Sequence, residues 1–342
     1  MPDHNRIMKI ADLEKIDTKS MFNTYDKWPE IAIESFETKY EKFESEEIDH
    51  VVFAGMGGSG SLGDTIGAIL SKNDIHVSNV KGYLLPKTVD SKTLVIVTSI
   101  SGNTTESLTI LENAKNTSAK IASFSSGGKM ESFCNNNNIF FQKIPMMHSP
   151  RASYPSFLFS ILNILESILP LDQNELYESF SALKKTRDNI FSENLTEGNK
   201  SLELANFIQN IVCVYYPAGL QAAAIRYKNS LQENAKIHAM TEDVIESCHN
   251  GIMPWERDVN VSPVFLQGKD DYFKTKERWK ILEEFFESKN KKYHIVNSLS
   301  GSILSKIINL VYLLDYSSIY SAILNNVDPS PVNAIDFVKK RL

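Results

Sequence analysis

The sequence predicts an α/β chain of two α-β-α sandwich domains, each built around a mostly parallel sheet. Three observations predict it. Short apolar runs alternate with helix-compatible segments through both halves of the 342 residues. A break at Pro170-Leu171-Asp172 separates the halves. The first clear strand, 51–54, runs straight into Gly55-Met56-Gly57-Gly58-Ser59-Gly60 and then a helix. Strand, tight turn and helix in succession is the joint of a sheet covered on both faces.

In order, residues 1–48 are charged and broken, with helices expected around 21–28 and 31–43; they are expected to form an N-terminal arm. The first domain, 49–170, reads as strand 51–54, helix 59–70, strand 75–80, strand 94–98, helix 104–116, strand 120–124, short helix 130–134, strand 139–142 and an apolar helix 154–169. The second, 171–342, reads as helices 174–189 and 200–209, strand 211–215, helix 218–233, strand 261–265, helix 274–288, strand 293–296, a long helix 302–324 and a terminal helix 332–342. Ligands of such folds sit at the carboxyl ends of strands and between domains.

Composition excludes several classes. A net charge of −6 with no long basic block argues against nucleic-acid binding. A bound phosphate must therefore be held by local dipoles and a few cations. Cys134, Cys213 and Cys248 are odd in number and lack metal-site spacing, so reduced thiols of a cytoplasmic protein are expected. Residues 1–19 are polar, which predicts no signal peptide. The best apolar run, 307–314, is too short for a membrane span.

The glycine loop favours an anion, because glycine lets backbone N–H groups approach closely and a helix start adds unpaired donors. Gly55, Gly57 and Gly60 fall at the offsets of a dinucleotide loop. The acidic residue that should follow is missing, since Asp74 precedes the next strand instead of ending it. No lysine follows, so it is not a Walker loop. A second loop, Thr98-Ser99-Ile100-Ser101-Gly102-Asn103-Thr104-Thr105-Glu106, also joins an apolar strand to a helix. Hydroxyls at Ser99, Ser101 and Thr104 beside a helix start suit a phosphate. The same residues also read as a capping box, with Asn103 or Thr104 as cap and Glu106 reaching back.

Taken together, Gly55-Met56-Gly57-Gly58-Ser59 and Ser99-Ile100-Ser101-Gly102-Asn103-Thr104 resemble the sugar isomerase (SIS) domain, a flavodoxin-like fold. More narrowly, the chain resembles the bifunctional phosphoglucose/phosphomannose isomerases of archaea and some bacteria. Tyr83-Leu84-Leu85-Pro86, Pro150-Arg151-Ala152, Glu233-Asn234-Ala235-Lys236, His249-Asn250 before Trp255-Glu256, and Asp328-Pro329-Ser330-Pro331-Val332 follow in the family's order. The resemblance implies interconversion of glucose 6-phosphate and mannose 6-phosphate with fructose 6-phosphate through a cis-enediol. It implies Glu233 as base, His249 in ring opening, Arg151 beside the reacting carbons and Lys339 as the C-terminal lysine, with Lys340 the alternative register. Gly58 and Ser59 would lie along the sugar, and Ser99, Ser101 and Thr104 at the phosphate. It further implies a homodimer with His249 donated across the interface, and neither metal nor cofactor.

The chemistry asks for these residue types. Moving a proton between C1 and C2 needs a carboxylate that takes and returns it. Opening the ring needs a group titrating near neutrality, hence histidine; His238 is the rival close to Glu233. A planar cation such as Arg151 stabilises enediolate oxygens. The chain departs from the pattern at Ile100 for an aromatic, at Gln232 for asparagine, at Cys248 and Gly251 around His249, and at Ser330 for threonine near the position linked to mannose 6-phosphate. Two other classes share the phosphate loop: SIS enzymes of amino sugars or ketose phosphates, and non-catalytic phosphosugar sensors. Sensors often carry a basic helix-turn-helix, for which this sequence has no candidate.

Overall fold

The computed structural model describes residues 8–341; the expectations placed on residues 1–7 and on 342 lie outside them. The chain forms two compact units. Lys27–Leu176 makes the first, and residues 8–26 with Tyr177–Arg341 make the second. The segment expected as an arm therefore divides at residue 27. In chain order, α1 (Ile10–Ile16) and α2 (Met21–Asp26) join the second unit.

The first unit runs α3 (Trp28–Glu37), β1 (His50–Ala54), α4 (Gly58–Ile69), β2 (His76–Val80), β3 (Thr93–Thr98), α5 (Thr105–Ala114), β4 (Lys120–Ser125), α6 (Gly128–Asn137), β5 (Phe140–Lys143) and α7 (Tyr154–Ile164). Its sheet has the order β2-β1-β3-β4-β5, every pair parallel. β1 and β3 are apolar between polar ends (His50, Thr93 and Thr98) and buried throughout, as central strands covered on both faces are. One face carries Val52, Ala54, Val95 and Val97 against Ile110 and Leu111 of α5 and Met130 and Cys134 of α6. α3 packs on α7, and the Trp28 indole donates to the Ala152 carbonyl at 3.1 Å.

The second unit continues with most of α8 (Gln173–Ile190), then α9 (Lys200–Phe207), β6 (Ile211–Tyr216), α10 (Gln221–Ser230), a π-helical turn Leu231–Ala235, β7 (Ala239–Asp243), α11 (Val244–Ser247), β8 (Val261–Gln267), α12 (Phe273–Ser288), β9 (His294–Asn297), α13 (Ile303–Leu324) and α14 (Asn333–Lys339). Its four-stranded sheet, β7-β6-β8-β9, is again parallel and repeats the first four positions of the five-stranded order of the first. Both orders are those of a flavodoxin-like sheet. β7 was not expected. Ala-Met-Thr-Glu-Asp lacks an apolar run, and it is a strand because β6 offers it an edge.

α13 also corrects an expectation. It runs 22 residues and contains an 18-residue stretch of mean hydropathy 1.4, long and apolar enough to cross a membrane by composition, yet 94% of that stretch is buried inside the protein. It packs against α9 and α10 as the central core helix of this unit. Its one carboxylate, Asp315, is fully buried and takes bonds from Arg226 Nε at 3.0 Å, Arg226 Nη2 at 2.5 Å, Ser230 Oγ at 2.6 Å and the Tyr25 hydroxyl at 3.3 Å. Burial pushes the Asp315 carboxyl up, and Arg226 with Ser230 pulls it back. The Tyr312 hydroxyl donates to the Tyr25 carbonyl, so α2 is held to α13 from both sides. Removing one member of a buried pair strands the other charge. Arg226→Met is therefore expected to lose about 3–5 kcal/mol of folding stability. A urea midpoint equal to that of the unsubstituted protein would show the network to be dispensable.

Candidate active site

β1 and β3 are adjacent in the first sheet, but β1 leads to β2 and β3 to β4, so the strand order reverses between them. Such a switch point opens a crevice at the carboxyl ends of the strands. Ala54 pairs with Val97, which brings the 55–60 and 99–104 loops side by side. The Ile100 N–H donates to Ser59 Oγ at 3.2 Å and stitches them together. Gly57 caps α4 at φ 53° and ψ −120°, a conformation that a Cβ opposes. Gly102, at φ 71°, lies against the Gly127 carbonyl where no side chain fits.

Within the second loop the hydroxyls divide their tasks. Ser99 is buried; its Oγ donates to Thr104 Oγ1 at 2.9 Å and accepts from the Thr104 N–H at 3.3 Å. Its single donor is thus used inside the loop. Thr104 and Ser101 keep donors, with Ser101 Oγ accepting from the Asn103 N–H at 3.4 Å. Thr104 is the N-cap of α5, but its side chain makes no capping bond. Glu106 accepts from the Tyr83 hydroxyl at 3.3 Å. The expected capping box is therefore not the purpose of the motif. The first main-chain bond of the helix is Leu108 N–H to the Thr104 carbonyl, which leaves the preceding amides as the anion-favouring end of α5.

Arg151 is 5% exposed and lies in the turn before α7. Its Cα and the Pro150 carbonyl are the nearest atoms to the open side of Gly58, 3.6 and 3.4 Å from where a Cβ would stand. The first unit thus brings together Gly58, Ser59, Ser99, Ser101, Thr104 and Arg151.

In the second unit Glu233 is half-buried on the π-helical turn that interrupts the expected continuous helix 218–233. Such turns occur often at functional sites. Asn234 is fully buried, and its Nδ2 donates to Ser318 Oγ of α13 at 2.8 Å. The Val212 N–H donates to the His238 carbonyl at the start of the ladder, so the turn stands at the amino edge of this sheet. His249 follows α11, beyond the carboxyl end of β7, and is exposed. The 239–243 strand separates the two, a rise of roughly 13–16 Å. Within this unit Glu233 and His249 are therefore at opposite ends of one sheet, and His238, not His249, shares the edge with Glu233. The carboxylate of Glu242 lies beside Gly251, with Cδ 2.9 Å from where a Cβ would stand, so a larger side chain after Asn250 requires that flexible carboxylate to shift. Lys339 stands in the last turn of α14, none of whose residues is buried. Glu242, Lys236 and Ser318 were not singled out for a role from the sequence; only Lys236, within Glu-Asn-Ala-Lys, carried a signal.

Known proteins share sequence and fold with this chain. Residues 197–342 match the family model described as bacterial phospho-glucose isomerase C-terminal SIS domain. A bifunctional phosphoglucose/phosphomannose isomerase of Caldicellulosiruptor bescii is 32% identical over 308 residues, 87% of this chain and 91% of that protein. One from Aquifex aeolicus is 30% identical over 316 residues, 89% and 95% of the two chains. The solved C-terminal domain of glucosamine-fructose-6-phosphate aminotransferase from Francisella tularensis shares the fold at a TM-score of 0.67 and 16% identity, over 90% of this chain and 96% of that one.

Two parallel flavodoxin-like sheets and a serine loop at a switch point define an α/β protein of the SIS class. Within that class, the chain belongs to the bifunctional phosphoglucose/phosphomannose isomerase family.

Proposed function

We propose that this protein is a cytoplasmic aldose–ketose isomerase that interconverts glucose 6-phosphate and mannose 6-phosphate with fructose 6-phosphate. The observation that carries the reading is the pairing of the 55–60 and 99–104 loops at the β1–β3 switch point, with Arg151 against Gly58. The α5 amides and the donors of Ser101 and Thr104 receive the phosphate, while Ser99 shapes the loop that presents them. Gly58 and Ser59 flank the sugar chain.

Glu233 takes the C2 proton of the open-chain aldose, and the carbonyl electrons move to O1 as the cis-enediol forms. O1 takes up a proton as O2 releases its own, and the proton held by Glu233 returns to C1 while O2 becomes the ketose carbonyl. Arg151 stabilises the charge developing on the two oxygens. His249 and Lys339 exchange protons with the ring oxygen and the C1 hydroxyl during ring opening. The separation of Glu233 and His249 by the length of β7 supports a homodimer in which each base works with the histidine of the second copy.

In a coupled assay with EDTA present, the purified protein is expected to turn over both aldose phosphates. Conversion of glucose 6-phosphate alone would overturn the dual specificity. Inactivity on both would overturn the reading.

A further inference from the structure

Lys236 closes the turn that carries Glu233. It is left-handed, at φ 58° and ψ 32°, and its N–H bonds back to the Leu231 carbonyl. Its side chain folds over the same turn. Nζ donates to the Glu233 carbonyl at 2.6 Å, the Asn234 carbonyl at 3.4 Å and the Pro329 carbonyl at 3.3 Å. An ammonium has three protons, and these are three carbonyl acceptors. A lysine near a helix end often binds the last carbonyls. The Pro329 carbonyl is not one of them; it belongs to the 328–331 loop, far along the chain.

That loop is held from its other side by the N-terminal segment. Thr18 Oγ1 donates to Asp328 Oδ2 at 2.6 Å, and Ser330 Oγ donates to Asp17 Oδ1 at 3.3 Å. The Ser330 N–H donates to Asp328 Oδ1 at 2.9 Å, which sets the turn itself. Asp17 is in turn fixed by the Phe22 N–H at 2.9 Å. The Ser330 hydroxyl, near the position that the family resemblance links to mannose 6-phosphate, is thereby oriented by residues of the same unit.

We infer that Lys236 is a positioning residue that makes the Glu233 turn and the 328–331 loop one body, so that base placement and aldose preference are set together. The inference rests on the reading of Glu233 as the base. Geometry errors of an ångström at a reacting group are costly in turnover. Arginine presents its donors in a planar fork and not in the compact tetrahedral set of an ammonium, so charge alone does not reproduce this geometry.

The test uses the full chain, with the unsubstituted protein assayed first on both aldose phosphates. Lys236→Met is expected to lower kcat about ten- to a hundredfold, with KM within about twofold and a melting midpoint within about 2 °C. The mannose-to-glucose 6-phosphate ratio of kcat/KM is expected to shift as well. Lys236→Arg keeps a charge at the helix end and is expected to melt normally yet remain about tenfold slower. Full activity of Lys236→Arg, or a loss in either variant that follows its loss of stability, overturns the inference. An unchanged substrate ratio overturns the coupling to the loop. An unsubstituted protein inactive on both sugars instead overturns the function from which the inference starts.

Discussion

Glu233→Gln is expected to lower kcat by about two to four orders of magnitude, with KM changed by less than about threefold. The substitution keeps volume and hydrogen-bonding reach while removing the negative charge and the capacity to accept a proton. It also leaves the local anchors intact. The turn is held through the Glu233 main-chain carbonyl, Asn234 and Lys236, none of which is altered. Binding through the 99–104 loop should therefore persist while proton transfer is lost. Exchange of the C2 proton with solvent deuterium should fall with kcat, because both need the same base. Full activity would remove Glu233 from the mechanism, and a loss of affinity at unchanged kcat would make it a binding residue.

What the sequence made legible follows from where the determinants of each element lie. β1 and β3 could be read because their apolar residues are contiguous and end in loops with their own chemistry. The phosphate loop could be read because its hydroxyls and its helix start are neighbours in the chain. The π-helical turn could not, since Gln232 and Glu233 continue a helical pattern and the turn is stabilised by Ser318 and Pro329, distant in sequence. β7 was hidden because its partner, not its composition, makes it a strand. The N-terminal segment read as an arm because it is charged; its place depends on Tyr25 meeting Asp315 and Tyr312, and on Trp28 meeting Ala152. Ser99 was expected at the phosphate as one of three equivalent hydroxyls. Only the hydrogen-bond directions in the folded loop distinguish it from Ser101 and Thr104.

Mixing two inactive variants is expected to restore activity. On the proposed roles, Glu233→Gln removes every base and His249→Gln every ring-opening histidine. If each site combines Glu233 of one copy with His249 of the other, a mixed dimer holds one site with both lesions and one with none. Random reassociation makes half of the dimers mixed, so about a quarter of the unsubstituted activity should return. If instead one copy supplied both residues, every site in the mixture would keep one lesion and activity would stay at the parental level. The physical basis lies in β7. Glu233 stands before the amino end of that strand and His249 beyond its carboxyl end, while a hexose phosphate is shorter than the intervening rise of roughly 13–16 Å. On the proposed reading, the second of these side chains comes from another molecule. Recovery on mixing, measured after the two variants are refolded together, therefore tests the dimer and the donated histidine in one experiment.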